Sequence, residues 1–324
     1  MLQLVVKHFM KDHNPSSTST VTIAAATEDV CGECPVWDPA QAALYWTDCV
    51  GLCVHRLDWA SQKHEAISRG VEVYGFRRNL NGGFVVTNPG GAWTWDGAGG
   101  LELIAGEAEG QRLQLNDCTA DSRGRLLTAS FFYDPAAKYE LGRLIRIDEA
   151  GRVAVLDEGF HLANGIGLSP SEETLYVTDS AARLIFAYDY DIRSGEARRR
   201  RQFVRVPDEE GIPDGLAVDA EGFVWSAQWY GGCVVRYDPA GKEDRRIKVP
   251  AKQTSSLAFG GPDLTELFIT SAAKSEAMPV MPPGYDPSTG PFGGPLFRVN
   301  AGIQGMAQQA ANIPASTRGE HADR

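Results

Sequence analysis

The stretch LAVDAEGFVWSAQWYGGCVVRYD, Leu216–Asp238, decides the fold of this 324-residue chain. Apolar residues alternate through LAV, VWSAQW and CVVRY, the period-two pattern of a half-buried strand. The intervening AEG and YGG are turn formers, so the segment reads as three antiparallel strands joined by tight hairpins. Working outward, the same form begins at Pro35 (PVWDPAQAALYWTDCVGLCVHRLD), at Cys118 (CTADSRGRLLTASFF, then GRLIRID) and at Ile166 (IGLSPSEETLYVTDSAARLIFAYDYD). It returns at Leu257 (LAFGGPDLTELFITSA, then GGPLFRV) and, with a looser register, at Tyr74 (YGFRRNLNGGFVVTNPGGAWTWD). The units recur at roughly 46 residues, the interval of a four-stranded propeller blade. A sandwich has similar strands but not this repeat. The fold read from the sequence is therefore all-β: a six-bladed β-propeller of four-stranded antiparallel blades in a single domain, residues 20–306. A strand near Thr20–Ala26 is expected to complete the last blade, because ring closure removes exposed edges. Residues 1–19 are expected to be a flexible leader and 307–324 a flexible tail.

Composition narrows the partners. Net charge is −11, with 43% hydrophobic and 23% charged residues. An acidic surface repels nucleic acid and anionic membranes, and no apolar run approaches the ~18 residues that cross a bilayer. The N-terminus lacks the apolar core and cleavage site of a secretory signal, so a cytoplasmic protein is expected. Its six cysteines (Cys31, Cys34, Cys49, Cys53, Cys118 and Cys233) are scattered, which argues against a disulfide framework.

The repeat supplies a register. Counting back five residues from those that close the first strands (Asp38, Asp121, Ser169 and Asp219) reaches Glu33, Asn116, Asn164 and Asp214. The remaining repeats place Ser255 and Gly75 there. First strands line a propeller's channel, so these positions converge at one end of the axis. Converging carboxylates repel one another and resist burial in charged form. A divalent cation removes that cost, and oxygen donors suit Ca²⁺, Mg²⁺ or Mn²⁺. Taken singly, each residue could instead be a turn-forming Asx side chain.

At these residues the chain resembles the senescence marker protein/regucalcin and gluconolactonase family, which includes sugar lactonases. The likeness spans about Val30 to Val299. It rests on GECPVW (Gly32–Trp37), QLND (Gln114–Asp117), NGIGLS (Asn164–Ser169), PDG (Pro213–Gly215), GGPDLTELFIT (Gly260–Thr270) and GGPLF (Gly293–Phe297). The resemblance implies one catalytic divalent metal on the axis, held by Glu33, Asn164 and Asp214, with Asn116 beside it. It implies hydrolysis of a small-molecule lactone, with Asp214 positioning or deprotonating water and Asn116 and Gln114 orienting the ring. Two departures bear on specificity. Gln114 stands where many members carry Arg, and Cys118 follows the Asn-Asp pair where Gly is common.

Other readings compete. A non-catalytic calcium-binding propeller would share the fold, and a metal-dependent esterase or phosphotriesterase would share the site. Tyr133, Trp229 and Tyr230 are candidate pocket walls or packing aromatics. Cys31-x-x-Cys34 and Cys49-x-x-x-Cys53 have zinc-ligand spacing, and thiols beside Glu33 and Asp117 would favour a softer ion such as Zn²⁺. His8, His13 and His321 lie in the leader and tail; His161 is expected to face solvent or pack. No nucleophile elbow is present. EARRRRQF, Glu196–Phe203, reads as a surface strand. The Pro/Gly-rich loop Met278–Pro295 is expected to overhang the pocket.

Overall fold

The computed structural model describes residues 20–131, 141–274 and 280–314. Their strands form six four-stranded antiparallel sheets set around a channel, and one small hairpin, Glu107–Ala108 with Gln111–Arg112. The first blade is Gly32–Asp38, Ala43–Asp48, Cys53–Asp58 and His64–Arg69; the second is Gly75–Arg78, Phe84–Asn88, Gly91–Trp95 and Glu102–Ala105. The third is Leu115–Ala120, Leu126–Ser130, Gly142–Ile147 and Val153–Phe160. The fourth is Ala163–Leu168, Thr174–Asp179, Leu184–Asp191 and Glu196–Arg205; the fifth is Ile212–Val218, Val224–Trp229, Cys233–Tyr237 and Glu243–Lys248. The sixth joins Thr254–Gly260, Glu266–Ser271 and Leu296–Asn300 to Thr22–Ala25, with Thr22 opposite Arg298. The propeller and its closing N-terminal strand are thus as read from the sequence. Among the described residues no helix is long and apolar enough to cross a membrane.

The aspartates that end first and third strands are turn caps. Asp121 Oδ1 accepts from Arg123 N and Arg125 N, Asp219 Oδ1 from Glu221 N and Phe223 N, and Asp238 Oδ1 from Ala240 N and Lys242 N. Each carboxylate pre-forms its hairpin by satisfying two turn amides. Asp219 also binds Trp225 Nε1 at 2.8 Å and Arg236 Nε at 2.9 Å beneath the fifth blade. The alternating apolar positions meet between blades. Tyr176, Ile185 and Ala187 of the fourth, for example, pack on Val224, Val235 and Tyr237 of the fifth.

Each second strand carries a buried hydroxyl near the mouth: Thr47, Thr87, Thr178 and Thr270 in equivalent register, and Thr128 and Ser226 one residue earlier on theirs. Thr128 Oγ1 donates to Asp117 O, Thr87 Oγ1 to Gly75 O, and Thr270 Oγ1 to Ser256 O. These bonds satisfy carbonyls of the inner strands that would otherwise lie buried without a partner.

The tail expectation needs correction up to residue 314. Gln304–Ile313 forms a strap across the base of the ring. Ala220 N donates to Gln304 O, Trp37 N to Gln308 Oε1, Ala311 N to Arg78 O, and Asn312 N to Gly124 O. Asn79 exchanges two bonds with Ile313, and Ala311 and Ile313 are buried. The segment needs no hydrophobic period of its own, because it borrows partners from five blades. The strap covers a cavity of about 290 Å³ lined by Arg77, Gly167, Ala217, Phe259 and Gln308. The expected leader, residues 1–19, and residues 315–324 lie outside the described residues.

Candidate active site at the channel mouth

The opposite end of the channel is built from irregular strands. In five inner strands the ladder to the second strand breaks where a polar side chain sits: between Glu33 and Val36, Leu115 and Cys118, Ala163 and Ile166, Pro213 and Leu216, and Thr254 and Leu257. Such breaks release a residue from the pleat and re-aim its side chain, as at many functional sites. The breaks hold Asn116, Asn164, Asp214 and Ser255; in the first blade Glu33 is still paired with Thr47 and is the last residue before the break. The second blade carries Gly75 there, and its ladder is regular. A Cβ on Gly75 would lie 2.6 Å from Thr87 Oγ1 and 2.8 Å from Asn116 O, so this position admits no side chain.

The structure brings the acidic pair and an amide together. Asp214, 5% exposed, is hydrogen-bonded to the Asn164 side chain, and its Oδ1 is buried without a partner. It caps no turn, which separates it from Asp121 or Asp219. Burial pushes its carboxyl well above the ordinary carboxylate range; the charge of Asp117 adds to this and the Asn164 bond opposes it. Glu33 is raised too, by burial and then by Asp214, Cys49 and Asp117, against the Cys34 N–H, which donates to Oε2 at 3.2 Å. Glu33 keeps some solvent contact, whereas Asp214 is buried.

The other positions divide. Asn116 donates Nδ2 to Ala163 O at 2.9 Å, tying the third blade to the fourth. Ser255 turns its hydroxyl to Gly32 O and Thr270 Oγ1. Gln114 is half-buried, and its carbonyl accepts from Phe131 N. Trp229 and Tyr230 stand edge to face at 6.0 Å, and Tyr230 packs on Tyr285 of the long loop at 4.6 Å. From Val280 onward that loop lies over the fourth to sixth blades, where Val280 O accepts from Arg183 Nη2. Tyr133 and Met278 lie outside the described residues, as do His8, His13 and His321. His161 is exposed, with Nδ1 3.2 Å from Asp179 Oδ2. The Glu196–Arg205 strand is the outer edge of the fourth blade, its Arg199 and Arg201 paired with Asp189.

The zinc spacing does not produce a cluster. Among the described residues no group of three or more His, Cys, Asp or Glu side chains could hold a metal ion. Cys31 precedes the first strand, and Cys34 sits in its ladder break with φ +45°, which turns the two thiols to different neighbours. Cys31 accordingly meets Cys49, while Cys34 meets Asp117 Oδ1 at 3.5 Å and Arg77 Nη1 at 3.2 Å. The channel mouth offers two carboxylates with carboxamides instead. Sequence reasoning named Asp117 only as the neighbour of Cys118 and missed Arg77, its buried basic partner beneath this mouth. Burial pushes Asp117 up, although Arg77, the Cys118 N–H and Cys34 oppose it. The Cys118 thiol, also buried, is pushed up to about 12. The available signal was GFRR (Gly75–Arg78), since a charged residue on an innermost strand needs a buried partner.

Residues 31–273 match the family described as the SMP-30/gluconolactonase/LRE-like region. The chain belongs to that family. This SMP-30/gluconolactonase-family protein is 34% identical over 299 residues to a pentonolactonase of Haloferax volcanii, covering 91% of this chain and 99% of the relative. It is 30% identical over 293 residues to a 6-deoxy-6-sulfogluconolactonase of Pseudomonas putida, covering 89% and 97%. Among solved structures, a luciferin-regenerating enzyme superposes with a TM-score of 0.80 at 27% identity, covering 91% of this chain and 99% of that one.

Proposed function

We propose that this SMP-30/gluconolactonase-family protein is a lactonase that hydrolyses a sugar (aldono-) lactone at the channel mouth with a divalent metal. The names of its relatives support lactone chemistry. The observation that carries the site is the meeting of Glu33 and Asp214, from the first and fifth blades, with Asn164 beside them and Asp214 Oδ1 buried and unpartnered. Oxygen donors that oppose one another's ionisation fit a hard cation, Ca²⁺, Mg²⁺ or Mn²⁺, with Zn²⁺ a softer alternative. Glu33, Asn164 and Asp214 would hold it. Bound there, the ion supplies Lewis acidity toward the lactone carbonyl.

The chain's own residues do the rest. Asp214 positions the attacking water and accepts its proton, a role suited to a carboxylate whose basicity is raised. Asn116 commits Nδ2 to Ala163 O, leaving Oδ1 to accept from a ring hydroxyl. Gln114 presents a neutral amide, which favours hydroxyls over anionic substituents.

A pH-stat comparison of aldonolactones, simple lactones and phosphotriesters, with and without chelator, tests this reading. Aldonolactone hydrolysis that chelator abolishes is expected, with Asp214→Ala lowering kcat by about 10³-fold. Unchanged hydrolysis by a folded Asp214→Ala protein refutes the assignment, and turnover of phosphotriesters alone moves the enzyme to another ester.

A further inference from the structure

We propose that Cys31 and Cys49 form a reversible disulfide at the rim of the channel mouth, a redox modification site coupled to Glu33. In the first blade Glu33 lies opposite Thr47 and Gly32 opposite Asp48, so the next pair outward is Cys31 with Cys49. Cys49 N donates to Cys31 O at 3.0 Å. Opposed residues on neighbouring antiparallel strands stand about 4.5–5.5 Å apart at Cα, inside the ~4.4–6.8 Å window of a disulfide. Both are free thiols and their side chains are already hydrogen-bonded. Asp48 holds the surrounding backbone, accepting from Val30 N at 2.8 Å, Cys31 N at 3.0 Å and Gly51 N at 2.8 Å. The pair is therefore pre-organised rather than brought together by collision.

Access is asymmetric in a way that suits exchange. Cys31 is half-buried and Cys49 is 7% exposed. A small-molecule disulfide RSSR meets Cys31 first: its sulfur displaces one RSH, leaving Cys31 joined to the SR group. Cys49 then displaces the second RSH and closes the Cys31–Cys49 bond. The dithiol loses two electrons and RSSR gains them; both thiol protons leave on the two RSH molecules. Closing the bond draws the sulfurs from contact to about 2.05 Å. Cys31 lies two residues from Glu33, so this contraction shifts the mouth.

The modification stands apart from the lactonase reading; only its effect on turnover rests on it. The test incubates the full chain, metal-loaded, with oxidised glutathione, then measures intact mass, non-reducing peptide maps and lactone hydrolysis. Chymotryptic cleavage after Trp37, Tyr45 and Trp46 separates the two partners. Expected are loss of two hydrogens, a Cys31–Cys49 cross-link, and turnover lowered about tenfold and restored by dithiothreitol. Cys49→Ser keeps basal activity and loses the sensitivity, whereas Cys34→Ser and Cys118→Ser retain the cross-link. A stable mixed disulfide on Cys31, or a Cys34–Cys118 link instead, overturns the proposal. A Cys31–Cys49 bond without change in turnover overturns the coupling to Glu33. Absence of lactone hydrolysis in both states rejects the lactonase reading and leaves the cross-link as the measure of the dithiol.

Discussion

Replacing Asp214 with Asn should stabilise the cation-free protein and weaken its response to cations. An acid whose native pKa is raised binds its proton more tightly folded than unfolded. Stability is then full at pH values below the unfolded carboxylate value, about 4, and declines as pH rises toward the raised native value. Asp214 is pushed up chiefly by burial and secondly by Asp117, so at neutral pH its ionisation opposes folding. Each unit of such a shift is worth about 1.4 kcal/mol. Unfolding entropy of about 2.1 cal/mol/K per residue over 324 residues gives about 0.7 kcal/mol/K, or about 2 °C in Tm per unit. Asn keeps a partner for Asn164 without the charge. In chelator the Asp214→Asn protein should therefore melt above wild type at pH 7 and level with it near pH 4. A cation at a hundred times its Kd adds about 2.7 kcal/mol, about 4 °C, to wild type. The variant, short of one ligand, should gain less. Scanning calorimetry across pH with Ca²⁺, Mg²⁺ and Mn²⁺ makes the comparison. Were Asp214→Asn to melt below wild type in chelator at pH 7, or were both proteins shifted equally by every cation, the buried-charge reasoning would be refuted.

Three further outcomes follow from other parts of the molecule. Asn116→Ala should lower kcat/KM for the lactone about tenfold, or about 1.4 kcal/mol, with a smaller effect on Tm, read by initial rates beside a melting curve. Ending the chain after Gly305 removes the bonds of Gln308, Ala311, Asn312 and Ile313 to the base. At about 1 kcal/mol each, with the buried Ile313 adding about 2, this should cost about 6 kcal/mol, or about 9 °C, while low-temperature turnover at the distant mouth persists. Asp219→Ala strips partners from the buried Arg236 and Trp225 and should cost about 3 kcal/mol by urea denaturation.

Turn chemistry and alternation made the fold legible. Asp121, Asp219 and Asp238 mark hairpins because a short carboxylate caps the amides two and four residues on. That local rule needs no tertiary knowledge. The strap escaped notice for the converse reason: Gln304–Ile313 has no period of its own, and its partners lie more than eighty residues away in every contact named. The partnership of Asp117 and Arg77 escaped because an isolated charge in a strand is ambiguous until its partner is known. The zinc spacing misled because Cys31 and Cys34, close in sequence, are directed to different neighbours.

The mouth residues illustrate why register outperformed composition. Asp214 and Asp219 are five residues apart on one strand and turn, identical in chemistry and both buried. One caps a hairpin, with Arg236 and Trp225 on its second oxygen. The other has an amide on one side and an oxygen left over. What separates them is the ladder break between Pro213 and Leu216, repeated in four other inner strands. A regular strand sends successive side chains to alternate sides, into the blade interfaces. The break frees one residue per strand from that alternation, and the propeller multiplies it around the axis. Filling the break, by replacing the residue in it with one the regular ladder would accept, should therefore remove the site without unmaking the blade. The second blade is the natural example: with Gly75 in place of a polar side chain its ladder runs unbroken and its packing is intact.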